Sequence, residues 1–111
     1  MKIAVIGTGF VGVVTAAVYA SFGNDVVGLD IDQSKVDSLS TGKVPFHEPG
    51  LEELLAGEIK TGRLRFTTSY EEAISAADVI VIAVGTPSKP DGSADLTYVL
   101  AAARSLAPHV Q

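Results

Sequence analysis

The chain contains no cysteine. That excludes disulfides, thiolate metal centres and a cysteine nucleophile within these 111 residues. Histidine is nearly as scarce. His47 and His109 are the only two, too few for a histidine-rich metal cluster. Basic residues are in deficit: eight Lys and Arg stand against thirteen Asp and Glu, a net charge of −5. This balance argues against a nucleic-acid or anionic-membrane partner. A nucleotide ligand stays compatible, because helix-end amides hold phosphate without many lysines. No uninterrupted apolar run is long enough to span a bilayer. Lys2 followed by apolar residues to Phe22, with Ala17-Val18-Tyr19-Ala20, has the outline of a secretory signal. Glycines at strand-to-helix spacing fit a nucleotide-binding turn better, and the expected location is the cytoplasm. What remains, 47% hydrophobic and 19% charged residues, suits one small compact domain.

The order of elements reads as alternating strand and helix. Residues 2–6 form a continuous, β-branched run suited to a buried parallel strand. Residues 10–22 read as a helix stopped by Gly23-Asn24. Val26 to Leu29 form a second strand, and Asp32 caps a helix over about 33–40 that ends at Thr41-Gly42. Lys43 to Pro49 is irregular. Pro49 suits the first position of a helix carrying Leu51, Leu54, Leu55 and Ile59 on one core-facing stripe. Leu64 to Thr67 is a third strand. Ser69 and Glu72 form a capping box on a short helix. Val79 to Val84 is the most apolar strand and is expected to be central. Gly85 to Asp95 is a polar loop, and Leu96 to about Ala107 is a helix ended near Pro108.

This alternation predicts an α/β Rossmann-like parallel sheet of order 3-2-1-4, with right-handed crossovers and helices on both faces. The ligand crevice then falls at the carboxyl ends of strands 1 and 4, where the connections diverge. The last helix reads as a crossover with no strand to deliver. Residues 1–111 are therefore expected to be a fragment of a longer protein, truncated before a further strand.

The chemistry is concentrated in Gly7-Thr8-Gly9-Phe10-Val11-Gly12. A G-x-G-x-x-G pattern after a strand and opening a helix cradles a pyrophosphate. Gly7 permits a tight turn, Gly9 permits close approach of the ligand, and Gly12 permits close helix packing. The first-turn amides of Phe10, Val11 and Gly12 face the anion from the positive end of the helix dipole. Asp30 ends the second strand 18 positions after Gly12, near the roughly 20 expected for the ribose-binding acid. Its carboxylate accepts from ribose hydroxyls and repels a 2′-phosphate, favouring NAD over NADP. Ile31 follows as a candidate cofactor contact, and Lys35, one helical turn beyond Asp30, reads either as reaching the adenosine side or as an ordinary exposed helix lysine. Val84, Gly85 and Thr86 leave the fourth strand opposite the glycine loop, with Pro87 stiffening the turn. Glu48 and His47 read as structural residues at a helix start, Tyr98 as a packing residue, and Lys89 and Asp91 as surface turn residues. No metal site and no catalytic constellation is present; the chain supplies the cofactor side alone.

Three blocks together resemble the N-terminal domain of the UDP-glucose/GDP-mannose dehydrogenase family. They are Ile3 to Gly12 with Asp30-Ile31-Asp32, Val44 to Leu55, and Ala83 to Pro87 continuing through Asp91 to Leu96. The likeness covers nearly the whole chain. It implies an NAD-dependent, two-step oxidation of a sugar C6 alcohol to a carboxylate, with UDP-glucose as the expected substrate. GDP-mannose and UDP-N-acetylmannosamine are the rivals. It also implies that the loop glycines, Asp30, Lys35 and Thr86 contact NAD. The family's catalytic cysteine and its neighbours belong to later segments with no counterpart here, so the fragment is expected to be inactive alone. The nucleotide sugar would bind through the missing domain, and the full-length protein is expected to be a homo-oligomer. His47 departs from the tyrosine that commonly precedes Glu-Pro-Gly in the family. A non-catalytic nucleotide-sensing Rossmann module shares the glycine loop and the acid, but leaves the second and third blocks unexplained.

Overall fold

The computed structural model describes residues 1–46, 48–84, 89–93 and 95–110. The short apolar run Lys2–Ile6 is strand β1. It is followed by α1 (Phe10–Ser21), β2 (Asp25–Leu29), α2 (Gln33–Ser40), α3 (Leu51–Thr61), β3 (Leu64–Thr67), α4 (Tyr70–Ile74), β4 (Val79–Ile82) and α5 (Thr97–Leu106). A single 3-10 turn over Ala107–His109 comes after α5.

The sheet order is β3-β2-β1-β4, and every pairing is parallel. Alternation along β1 divides the core in two. Ile3 and Val5 face α1 and α3 in a cluster with Val13, Ala17, Val26 and Leu55. Ala4 and Ile6 face the other way, in a cluster with Leu29, Ile74 and Ala102. Helices therefore cover both faces, as an apolar parallel sheet requires.

Three local readings need correction. Val79–Val84 is neither central nor six residues long. β4 stops at Ile82 and, among the described residues, pairs with β1 alone at the sheet edge. Its residues are half-buried or exposed, with Val81 packed on one face of the sheet and Ile80 and Ile82 on the other. The ladder does extend one step, since the Ala83 amide donates to the Ile6 carbonyl at 2.7 Å.

Pro49 is not the first residue of α3. The Leu51 amide donates to the Glu48 carbonyl at 3.2 Å, and Gly50 has φ 83° and ψ −12°. Glu48 to Leu51 is thus a type II turn, with proline and glycine at its two inner positions. The helix begins at its last residue, Leu51. Glu52 and Glu53 then sit in the first turn and Lys60 in the last, matching the helix dipole.

The capping box at α4 forms only by half. The Ser69 hydroxyl accepts the Glu72 amide at 3.2 Å. The Glu72 carboxylate instead takes the Thr67 hydroxyl at 3.1 Å and Arg65 at 2.8 Å. The Ser69 amide is satisfied by the Thr67 hydroxyl at 3.0 Å.

Candidate functional site

A cleft of about 790 Å³ opens at the carboxyl ends of β1 and β4, within the usual range for small-molecule sites. Its floor is the glycine loop. Gly7 has φ +106°, and a Cβ there would stand 2.8 Å from the Ala83 carbonyl oxygen. The tight turn therefore needs glycine for both its dihedral and its space. A Cβ on Gly12 would collide with the Gly7 carbonyl, while one on Gly9 would meet nothing within 4 Å. Gly12 thus closes the loop on itself more than on the sheet. Gly9 leaves the backbone bare towards the cleft.

Helix α1 starts at Gly9 with no side-chain cap and no acidic residue in its first turn. Its positive end is left for an external anion. Gly7, Gly9, Phe10 and Val11 line the cleft, as do Asp30, Ile31, Lys35 and Val84. Gly12 is buried behind them. Gly85 and Thr86, like His47, lie outside the described residues.

Two features escaped the sequence reading. Thr8, a variable position of the motif, is only 3% exposed. Its hydroxyl donates to Asp30 Oδ2 at 2.6 Å and its amide to the same oxygen at 3.3 Å. The Asp32 amide donates to Asp30 Oδ1 at 2.9 Å. The Asp30 carboxylate is therefore held by three donors of its own chain. Tyr98, read as a packing residue on the last helix, is 59% exposed and lines the cleft with Tyr70 and Ser105. The signal for it was position: α5 follows the loop that leaves β4.

Among the described residues, the second sequence block meets the glycine loop at Phe46, and its Val44 and Pro45 line a small pocket with Thr8 and Lys35. The Phe46 ring packs edge-on against Phe10, with centroids 5.4 Å apart and planes at 82°. Asp32 caps α2 by accepting the Ser34 hydroxyl at 2.7 Å and amide at 2.9 Å. Those bonds, the hydroxyl foremost, hold its carboxyl below the ordinary value of 3.8. Among the described residues, no group of three His, Cys, Asp or Glu could hold a metal ion, and no helix is long and apolar enough to cross a membrane.

A bare helix start over a glycine turn, an acid at the end of the neighbouring strand and an apolar cleft between them define a dinucleotide-binding domain. The chain can be placed more closely. The model of the UDP-glucose/GDP-mannose dehydrogenase family, NAD binding domain, matches residues 1–111. The UDP-glucose 6-dehydrogenase of Rhizobium meliloti (strain 1021) is 50% identical over 112 aligned positions, which cover 100% of this chain and 26% of that protein. The solved UDP-glucose dehydrogenase of Pyrobaculum islandicum aligns with a TM-score of 0.89 and 51% identity, over 95% of this chain and 24% of its own. The GDP-mannose dehydrogenase of Pseudomonas aeruginosa, solved as a ternary complex, aligns with a TM-score of 0.91 and 42% identity, over 96% and 24%. The chain belongs to the UDP-glucose/GDP-mannose dehydrogenase family and is its NAD-binding domain. It spans about a quarter of the length of these relatives.

Proposed function

We propose that residues 1–111 are the cofactor-holding part of a cytoplasmic, homo-oligomeric nucleotide-sugar dehydrogenase that oxidises UDP-glucose at C6 to UDP-glucuronate. The observation that carries this reading is the cleft itself, with the uncapped start of α1 facing Asp30 across the glycine loop. Gly7, Gly9, Phe10, Val11 and Gly12 would hold the pyrophosphate. Asp30 would take ribose hydroxyl, with Ile31 and Lys35 on the adenosine side. Val84, Gly85 and Thr86 would close the crevice from the β4 side. Bound NAD supplies the hydride acceptor for each of the two oxidation steps. This chain would contribute binding and orientation, and the groups that attack or deprotonate the sugar would come from segments outside residues 1–111. Substrate choice among UDP-glucose, GDP-mannose and UDP-N-acetylmannosamine would lie there too.

Calorimetric titration of NAD and NADP into wild type and Asp30→Ala tests the reading. NAD should bind more tightly than NADP, and the substitution should weaken NAD by about tenfold, the cost of one hydrogen bond to a charged group. Tighter NADP binding, or unchanged NAD affinity in Asp30→Ala, would overturn it. With UDP-glucose and NAD, the 111-residue chain alone should produce no NADH absorbance.

A further inference from the structure

We propose that Thr8 is a positioning residue that aims the Asp30 carboxylate at the ligand and so sets the preference for NAD. This rests on the cleft being the NAD site. An ionised carboxylate offers about four acceptor positions. Thr8 fills two of them on Oδ2, through its hydroxyl at 2.6 Å and its amide at 3.3 Å. The Asp32 amide fills one on Oδ1 at 2.9 Å. The open position is thus on Oδ1. A carboxylate fixed at both oxygens cannot turn to present Oδ2, so the direction of its acceptor is decided before any ligand arrives.

The hydroxyl bond is the short, charge-assisted one, and Thr8 is buried, so water cannot replace it. The two residues are 22 positions apart in sequence. They meet because β1 and β2 are parallel neighbours in register, Ile6 beside Leu29. Their following residues then turn out at the same sheet end. The bond also ties the glycine loop to the second strand. The loop that would hold the pyrophosphate and the acid that would hold the ribose therefore move as one body.

The test compares Thr8→Val, Thr8→Ser, Asp30→Ala and the Thr8→Val/Asp30→Ala double variant, in the longest natural polypeptide carrying these residues. Valine keeps the branched shape and the backbone amide and puts a methyl, which cannot donate, in place of the hydroxyl. Thr8→Val should lose about tenfold in NAD affinity, with NADP affinity unchanged, so the NAD/NADP ratio falls. Thr8→Ser should restore the ratio. In the Asp30→Ala background Thr8→Val should cost nothing further, because a positioning residue has no effect without the group it positions. An equal loss in both backgrounds, or no loss in either, overturns the proposal.

A ligand-free measurement separates this from failure of the NAD reading. In wild type the Thr8 hydroxyl proton should be a slowly exchanging NMR resonance, lost in Asp30→Ala. The Asp30 carboxylate carbon should shift in Thr8→Val and return in Thr8→Ser. If wild type binds no NAD but these signals behave as described, the functional reading fails and the geometric coupling stands. If the signals do not respond, the coupling fails whatever binds.

Discussion

Within the motif Gly7-Thr8-Gly9, two glycines do different work, and substitution separates them. Gly7 combines a φ of +106° with a carbonyl 2.8 Å from where a Cβ would sit. Gly7→Ala must bear both backbone strain and a steric clash against main chain, which cannot swing aside. Urea unfolding should show a loss of at least about 2 kcal/mol. Gly9 has φ −72° and open space where a Cβ would be. Gly9→Ala should stay within about 1 kcal/mol of wild type, the size of an N-cap exchange, yet weaken NAD binding. If Gly9→Ala leaves NAD affinity unchanged, Gly9 does not face the pyrophosphate. Gly7 and Gly12 were legible because the dihedral and space demands of this turn leave a fixed mark on sequence, and Asp30 because it follows the strand that pairs with β1. Thr8 was not, since a motif defines its intervening positions as free. Its role arises only when β1 and β2 bring two loop starts together.

At the scale of elements, alternation and caps were readable where a residue acts on its own near neighbours. Asp32 and Ser69 cap α2 and α4 as expected, accepting the amides of Ser34 and Glu72. The failures came where a third group competed. Glu72 was drawn from the capping box by Thr67 and Arg65, which the end of β3 places beside it. Pro49 joined a turn because Gly50 could adopt positive φ. The Phe10–Phe46 contact, which links the second block to the loop, has no local signature at all.

The cap on α2 carries a pH dependence. Ser34 binds the ionised form of Asp32, so its folded pKa lies below the unfolded value of about 3.8. The cap's stabilisation is therefore fully present above the unfolded pKa and is lost as pH falls through the folded one. The Cα chemical shifts of residues 33–36 should drift towards coil values as pH drops below about 4. In Asp32→Asn, which caps without titrating, that drift should vanish. Persistence of the drift in Asp32→Asn would assign it to another carboxylate.

Across the whole molecule the two sides of the sheet are unequally held. The α1–α3 side buries a broad apolar cluster, with Leu55 at 0% exposure. On the other side α5 buries Ala102 as its only fully enclosed residue, and Leu100 is 51% exposed. Leu55→Ala should cost about 2–5 kcal/mol, because a closed core cannot collapse onto the cavity. Leu100→Ala should cost less than about 1 kcal/mol, since half of that side chain is already in water. In native-state hydrogen exchange, α5 amides should then open at free energies well below those of α1. The cleft runs between these unequal parts, touching the start of α1 on one side and Tyr98, Ala101 and Ser105 of α5 on the other. A ligand that bridges them binds only while α5 is folded in place. NAD at a hundred times its dissociation constant should therefore add about 2.7 kcal/mol of protection, and α5 should gain it where it is otherwise lost first. If NAD instead protected the α1 amides and left α5 exchanging as before, the ligand would be held by the glycine loop without engaging the far wall. The α5 residues would then have no part in the site.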